Sequence, residues 1–133
     1  MTRLLLLPLL LLAACSSSTD ALDTGTAPPT SELSVAYDAG DGNDPVTWTL
    51  VCGDPVSGTH PDAEAACAHL RGLEEPFAAL PADMICTEQY GGPQTARVTG
   101  RWAGQPVDLE LARTNGCSIS QWEGLVPLVP RGT

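Results

Sequence analysis

The chain has 133 residues, 16 of them acidic and six basic, which gives a formal net charge of −10 at pH 7. The basic residues are all arginines, and no lysine occurs. This balance argues against nucleic acid and anionic lipid surfaces as partners, because both attract proteins through positive charge.

Residues 1–14 have the features of a lipoprotein-type signal peptide. Arg3 supplies a positive start, and the leucine-rich run 4–12 is much shorter than the ~20 residues needed to span a bilayer. Residues 12–15, Leu-Ala-Ala-Cys, resemble a bacterial lipobox, which makes Cys15 a candidate lipidation site. The alternative is a plain secretory signal followed by a cysteine. Both interpretations predict export, with membrane contact only through a lipid on Cys15.

Residues 15–31 are rich in Ser, Thr, Asp and Pro, which predicts a mobile, partly extended tether. Residues 32–133 then form one domain of about a hundred residues. A domain of that size buries only about 60–70% of its unfolded surface, so crosslinks would stabilise it considerably.

Cysteines supply candidate crosslinks. With Cys15 assigned to lipid, four remain in the domain: Cys52, Cys67, Cys86 and Cys117. An even number in an exported chain predicts two disulfides, with three connectivities open. None belongs to a Cys-x-x-Cys pair, so a zinc site is not expected. Spacing alone favours Cys52 with Cys67, a closed loop of about 15 residues worth roughly 3 kcal/mol, and leaves Cys86 with Cys117.

Alternating apolar and polar residues predict the first two strands, at 33–37 and 46–52. The stretch 38–44 between them is rich in turn-forming residues and predicts a hairpin connection. Its aspartates do not have the spacing of a calcium loop, and no bidentate glutamate follows them.

A helix is predicted to begin at Pro61, with Thr59 or His60 as its cap, and to end at Gly72. Its apolar face consists of Ala63, Ala66, Cys67 and Leu70. A short second helix is predicted over residues 75–80, with Phe77 and Leu80 inward. His60 and His69 lack a neighbouring nucleophile, so we interpret them as structural or surface histidines.

Residues 95–102 and 107–111 predict a hairpin whose arginines lie opposite acidic residues on the solvent face. A last edge strand is predicted between Gln121 and Val129, where Pro127 and Pro130 limit its pairing. Together these elements predict an α+β domain in which about five short antiparallel strands pack against one or two helices.

The segment 84–93, Met-Ile-Cys-Thr-Glu-Gln-Tyr-Gly-Gly-Pro, is neither a clean strand nor a clean helix. Its closing Gly-Gly-Pro prevents regular structure from continuing. A disulfide at Cys86 would hold an extended segment still while the following Thr-Glu-Gln stays in water. We interpret this 84–93 loop as a segment presented to a partner. The alternative is an ordinary disulfide-anchored surface loop.

Short motifs along the domain carry a resemblance to a known family. In chain order they are Trp48-Thr-Leu-Val-Cys52, Gly58-Thr-His-Pro61, Ala65-Ala-Cys67-Ala, Met84-Ile-Cys86-Thr-x-x-Tyr90-Gly-Gly-Pro-Gln94, Val98-Thr-Gly-x-Trp102-x-Gly104 and Arg113-Thr-Asn-Gly-Cys117. In register, and with both disulfide spacings, they resemble the bacterial subtilisin inhibitor-like family of small secreted serine-protease inhibitors. The resemblance runs from about Leu33 to the C-terminus.

The resemblance implies a five-stranded antiparallel sheet with two helices packed on one face. It also implies the disulfides Cys52–Cys67 and Cys86–Cys117, and a homodimer formed through the open face of the sheet. Asn115 falls where the family keeps a residue that supports the reactive loop from below.

The same resemblance implies a substrate-like reactive loop within the 84–93 loop. Glu88 falls at the primary specificity position, and Glu88–Gln89 is the expected reactive-site bond. Cys86, Thr87 and Tyr90 flank this bond as expected protease contacts. The catalytic groups would belong to the protease, so the chain is not expected to be an enzyme or to need a cofactor or metal.

Glu88 departs from the Met, Lys, Arg or Leu expected at this position of the family. Subtilisin-like pockets prefer large apolar side chains, and a trypsin-like pocket ends in a carboxylate that would repel Glu88. The expected partner is therefore a serine endopeptidase, either subtilisin-like or glutamate-preferring. The alternative function is a lipid-tethered surface binding module that keeps the inhibitor fold without strong inhibition.

Overall fold

The computed structural model describes residues 30–132. The predicted signal peptide, most of the predicted tether and the candidate lipidation site Cys15 lie outside the described residues. The elements follow in the order β1 (Glu32–Asp38), β2 (Val46–Val51), α1 (Ala63–Arg71), β3 (Thr95–Trp102), β4 (Gln105–Leu111) and α2 (Gly116–Gly124).

The strands form one antiparallel sheet in the order β2-β1-β3-β4. Val35 of β1 lies opposite Trp48 of β2 and Val98 of β3, and Val98 in turn lies opposite Leu109 of β4. Since side chains alternate between the two faces of a strand, this register collects the large apolar residues on one face.

Both helices cover that apolar face, as predicted. Helix α1 contributes Ala66, Cys67 and Leu70 to the core, and α2 contributes Trp122, all fully buried. They pack against buried strand residues that include Leu33, Val35, Leu50, Val98, Leu109 and Leu111. The α+β class and the two helices on one face are therefore confirmed.

The opposite face of the sheet is open and carries the predicted cross-strand ion pair. Arg97 of β3 donates from Nε to Asp108 Oδ1 at 2.9 Å and from Nη2 to Oδ2 at 3.0 Å. These hydrogen bonds lower the pKa of the Asp108 carboxyl and raise the pKa of the Arg97 guanidinium. Both side chains are more than half exposed.

The sheet has four strands within residues 30–132, and the predicted count of five is wrong for this part of the chain. The segment predicted as the last strand, 121–129, instead forms the end of α2 and an irregular stretch after it. Leu128 and Val129 in that stretch are fully buried. These residues are apolar because they pack in the core between the sheet and the helices, and not because they belong to a strand.

The helix predicted over residues 75–80 is also wrong, because residues 75–77 form a bend and a turn and residues 78–80 have no regular structure. Six residues are well below the length at which a helix is stable without strong packing. Phe77 nevertheless packs edge-on against Trp102, with ring centroids 5.9 Å apart. Leu80, predicted to face inward, is 37% exposed.

Helix α1 begins later than predicted, at Ala63, with Asp62 in the N-cap position. Neither Thr59 nor His60 is therefore the cap. The His60 ring instead accepts the backbone N–H of Asp62 at Nδ1, at 3.0 Å, so its Nε2 carries the proton and donates to the Leu128 carbonyl at 2.8 Å. His60 is buried and links the start of α1 to the C-terminal stretch.

Two disulfides are present with the expected connectivity. Cys52, which follows β2, is bonded to Cys67 of α1. Cys86 of the 84–93 loop is bonded to Cys117 in the first turn of α2. The first bond ties α1 to the sheet, and the second ties the 84–93 loop to α2.

The first described residues are bound to the edge of the domain. The carbonyl oxygen of Thr30 accepts the N–H of Gly104 at 2.8 Å, and Ser31 Oγ accepts the N–H of Ala103 at 2.9 Å. These two residues, which the sequence assigns to the end of the tether, are therefore bound to the turn between β3 and β4. None of the helices within residues 30–132 is both long and apolar enough to cross a membrane.

Candidate functional site

The 84–93 loop has no regular secondary structure and stands at the surface between a series of turns and β3. Ile85 is 98% exposed and Tyr90 70%. Thr87, Glu88 and Gln89 are exposed as well, whereas Cys86 is half-buried. The side chains from Thr87 to Tyr90 are therefore exposed to solvent, as the sequence predicts.

Two contacts hold the N-terminal side of the loop. One is the Cys86–Cys117 disulfide. The other is a hydrogen bond from the backbone N–H of Gly116 to the Thr87 carbonyl, at 3.0 Å. A Cβ at Gly116 would collide with Thr87 Oγ1, so the Thr87 side chain can keep its present position only beside glycine.

Asn115 acts on the helix that carries these contacts. Its Oδ1 accepts the backbone N–H of Ser118 at 2.9 Å, which makes it the N-cap of α2. The cap fixes where α2 starts and thereby orients the neighbouring Gly116 amide toward Thr87. Among residues 30–132, Asn115 makes no hydrogen bond to the loop itself. Its neighbour Gly116 makes the hydrogen bond to Thr87.

Arg113 holds the C-terminal side of the loop. The N–H of Gly91 donates to the Arg113 carbonyl at 2.7 Å, and Arg113 Nε donates to the Gly91 carbonyl at 3.1 Å. Sequence reasoning placed Arg113 at the start of a motif but gave it no role, and it did not single out Gly116. The available signal was their position next to Asn115 and Cys117.

Glu88 lies between these two attachments. Within residues 30–132 its carboxylate takes part in no hydrogen bond or ion pair. The residues on either side of it are linked to each other, because Thr87 Oγ1 donates to Gln89 Oε1 at 3.3 Å. This arrangement restrains the Glu88–Gln89 bond from both sides and leaves the Glu88 side chain to solvent.

An open groove of about 570 Å³ borders the N-terminal half of the loop. Its lining includes Leu80, Met84, Ile85 and Gln121. The first three are exposed apolar side chains, and together with Tyr90 they give the loop an apolar surround. Exposed apolar side chains grouped in this way are typical of a surface that contacts another protein.

The aspartates of the 38–44 connection serve the turn itself. Asp38 Oδ1 accepts the Gly40 N–H at 2.7 Å, and Asp41 accepts both the backbone and the side-chain N–H of Asn43. The backbone hydrogen bond from Asn43 is the main reason why the pKa of Asp41 is lowered. Among residues 30–132, no group of three or more His, Cys, Asp or Glu side chains is arranged to hold a metal ion.

A family model described as subtilisin inhibitor-like matches residues 29–115, which include all four strands, α1 and the 84–93 loop. The chain belongs to the subtilisin inhibitor-like family. The matched range ends at Asn115, so Gly116 and Cys117, which hold the N-terminal side of the loop, lie just beyond it.

Two relatives of this subtilisin inhibitor-like chain illustrate the similarity. Subtilisin inhibitor-like protein 4 of Streptomyces lavendulae is 46% identical over 71 residues, which cover 52% of this chain and 60% of that protein. Protease inhibitor SIL-V1/SIL-V4 of Streptomyces netropsis is 40% identical over 81 residues, covering 59% of this chain and 73% of that protein. The chain thus spans about 60% of the length of the first relative.

A solved structure of Streptomyces caespitosus sermetstatin in complex with Bacillus licheniformis subtilisin is also similar to this subtilisin inhibitor-like chain. The identity is 24% and the TM-score 0.43, with 76% of this chain and 99% of that chain covered.

Proposed function

We propose that the domain inhibits serine endopeptidases by presenting the 84–93 loop to the protease cleft as a substrate would, with Glu88–Gln89 as the reactive-site bond. The observation that carries this proposal is the attachment of the loop backbone on both sides of the bond. Gly116 binds the Thr87 carbonyl on one side, and Arg113 binds Gly91 on the other.

An extended peptide in a protease cleft gains affinity from main-chain hydrogen bonds and specificity from side chains that enter pockets. A flexible peptide loses much of that affinity because binding must order it. A loop already held by Cys86–Cys117 and by Gly116 loses less, which is the benefit of preorganisation. The exposed side chains of Thr87 to Tyr90 are then free to meet the enzyme.

Family membership supports the same proposal. The family model is named for inhibition of subtilisin, and the relatives described above carry the names of protease inhibitors. On this basis the chain is an inhibitor and not an enzyme. The catalytic groups of the encounter belong to the protease.

Glu88 favours a glutamate-preferring serine endopeptidase as the partner. A carboxylate taken into an apolar pocket without a counter-charge costs several kcal/mol, so apolar and acidic pockets are disfavoured. A pocket with basic or histidine chemistry would accept it. A subtilisin-like partner draws binding energy from further subsites, and Ile85, 98% exposed and three residues before Glu88, is available for one of them.

We infer that the protein works outside the cell. The predicted export signal and the two disulfides fit an oxidising compartment. A lipid on Cys15 would hold the protein at the outer face of the membrane, and a homodimer through the open sheet face stays a prediction. Mass spectrometry of the N-terminal peptide and light scattering of the purified protein test these two statements.

An inhibition panel tests the proposed function. Stoichiometric inhibition by the parent protein is measured against a glutamyl endopeptidase, subtilisin and trypsin, and repeated with Glu88→Met, Glu88→Lys and the control Glu74→Lys. We expect the parent to bind the glutamyl endopeptidase tightest, and Glu88→Met and Glu88→Lys to move inhibition to subtilisin and trypsin. Glu74→Lys, which changes the net charge by the same amount as Glu88→Lys but outside the loop, should behave like the parent.

Two outcomes would contradict this account in different ways. Tightest binding of the parent to trypsin would refute the assigned role of Glu88. Absence of inhibition by the parent and by both Glu88 variants would refute inhibition itself and favour the surface binding module.

A further inference from the structure

Arg113 is a buried cation, only 7% exposed, two residues after the end of β4. Taking a guanidinium out of water is costly unless a counter-charge and further hydrogen bonds compensate. Glu123 of α2 supplies the counter-charge, with Oε1 at 2.7 Å from Arg113 Nη1. The guanidinium carbon also lies 5.7 Å from the centroid of the Trp122 ring, within the range of a cation–π contact.

The guanidinium of Arg113 also makes one hydrogen bond to a residue outside the core. Its Nε donates to the carbonyl oxygen of Gly91, in the 84–93 loop. The backbone of Gly132 crosses the other side of the group, where a Cβ would collide with it. Arg113 therefore joins α2 to the segment that follows the Glu88–Gln89 bond.

The two sides of that bond are attached by different means. On the Glu88 side a covalent bond, Cys86–Cys117, ties the loop to α2. On the Gln89 side the attachment consists of hydrogen bonds between Gly91 and Arg113. Cutting the Glu88–Gln89 bond would leave the first attachment intact. Beyond the weak side-chain hydrogen bond from Thr87 to Gln89, the two hydrogen bonds between Gly91 and Arg113 would then hold the new N-terminal end near its origin.

We propose that Arg113 is a positioning residue that keeps Gln89 to Gly91 in place after cleavage, so that the bond is remade and the inhibitor is not consumed. This rests on the proposed function. When the protease serine attacks the Glu88 carbonyl, the C–N bond breaks, an ester forms, and the Gln89 nitrogen leaves as an amine with the proton relayed from the serine.

Two reactions then compete for the ester. In the reverse step the Gln89 amine attacks the ester, the C–N bond forms again, and the proton returns to the serine oxygen. Water gives instead a Glu88 carboxylate and a free amine, and the protease can remake the bond from these only by the reverse of both steps, with release of water. An amine held in place reacts at a very high effective concentration, so a firm attachment at Gly91 favours the reverse step.

The test compares Arg113→Lys, Arg113→Ala and Glu123→Gln with the parent and with Arg97→Ala, which removes an exposed arginine from the open sheet face. Each protein is incubated with a glutamyl endopeptidase until the ratio of cleaved to intact chain at Glu88–Gln89 is constant. Melting temperature and amide hydrogen exchange at Gly91 are measured without protease.

We expect the cleaved-to-intact ratio to rise at least tenfold for Arg113→Ala. It should rise severalfold for Glu123→Gln, which frees the guanidinium, and for Arg113→Lys, whose single ammonium cannot reproduce the fork that reaches both partners. Gly91 exchange should accelerate in the same order. Arg97→Ala should match the parent in both measurements.

A lower melting temperature with an unchanged ratio and unchanged Gly91 exchange would overturn the proposal, because Arg113 would then serve stability alone. If Arg113→Ala does not fold, Glu123→Gln and Arg113→Lys decide the outcome. If the endopeptidase degrades the parent or ignores it, a glutamate-preferring partner is refuted, and Gly91 exchange still decides whether Arg113 positions the loop.

Discussion

The backbone N–H of Gly116 donates to the carbonyl oxygen of Thr87 at 3.0 Å, and the missing side chain of Gly116 leaves space for Thr87 Oγ1. Gly116 is the first residue of α2, and its neighbour Asn115 caps that helix. The start of α2 and the conformation of the 84–93 loop are therefore determined at the same place.

Gly116→Ala tests this relationship. The new Cβ would collide with Thr87 Oγ1 and displace the loop, so we expect inhibition to weaken at least tenfold, or about 1.4 kcal/mol. Gly124→Ala at the other end of α2 is the matched control, because a Cβ there meets open space. Equal inhibition constants for the two variants would show that the Gly116 contact does not shape the loop.

The two disulfides should differ in what their removal changes. They close separations of 15 and 31 residues. Loop-closure entropy makes these worth about 3 and about 4 kcal/mol. We expect Cys52→Ala/Cys67→Ala to lower the melting temperature while the folded fraction still inhibits. Cys86→Ser/Cys117→Ser should convert the inhibitor into a rapidly cleaved substrate, and slow cleavage of that variant would contradict the role given to the bond.

We expect Asn115 to stabilise the fold by capping the N-terminus of α2. Asn115→Ala removes the acceptor for the Ser118 N–H and should cost about 1 kcal/mol of unfolding free energy. Asn115→Asp keeps a good cap and should retain most of the stability. Urea unfolding of the three proteins measures this, and a loss as large for Asp as for Ala would mean that Asn115 acts through another contact.

Because of the Arg97–Asp108 pair, we expect the stability of the fold to depend slightly on pH in the acidic range. Because the Arg97 hydrogen bonds lower the pKa of Asp108 in the folded state, the pair stabilises the fold fully above the unfolded value of about 3.9. The contribution is lost as pH falls through the lower folded value. Asp108→Asn should melt slightly below the parent at pH 6, and the gap should narrow as the pH falls below about 3.9. A constant gap would exclude the pair as its cause.

The sheet could be predicted from sequence because its signals are local. Period-two alternation located all four strands, and the cross-strand charges of the last hairpin followed from the register. Helix α1 was found from its apolar face, although its start was misplaced by two residues, because residues 61 and 62 form a turn in which the Asp62 N–H binds the His60 ring. The disulfides agreed with spacing and with the resemblance.

The C-terminal part could not be predicted in the same way. Asn115-Gly116 is a common turn sequence, and the stretch from Gln121 to Val129 favoured an edge strand despite the limits set by Pro127 and Pro130. The cap at Asn115 and the spacing of Ile119 and Trp122 were the signals for a helix. The attachment of Gly91 to Arg113 depends on how α2 folds back under the sheet, which no local pattern records.

The most direct test of the central claim is to sequence the N-termini of the slowly cleaved inhibitor recovered from its complex with a glutamyl endopeptidase. We predict one new N-terminus, beginning at Gln89, in a chain that stays joined through Cys86–Cys117 and still inhibits. Cleavage at another bond, or rapid degradation to several fragments, would contradict both the reactive bond and the inhibitory mechanism.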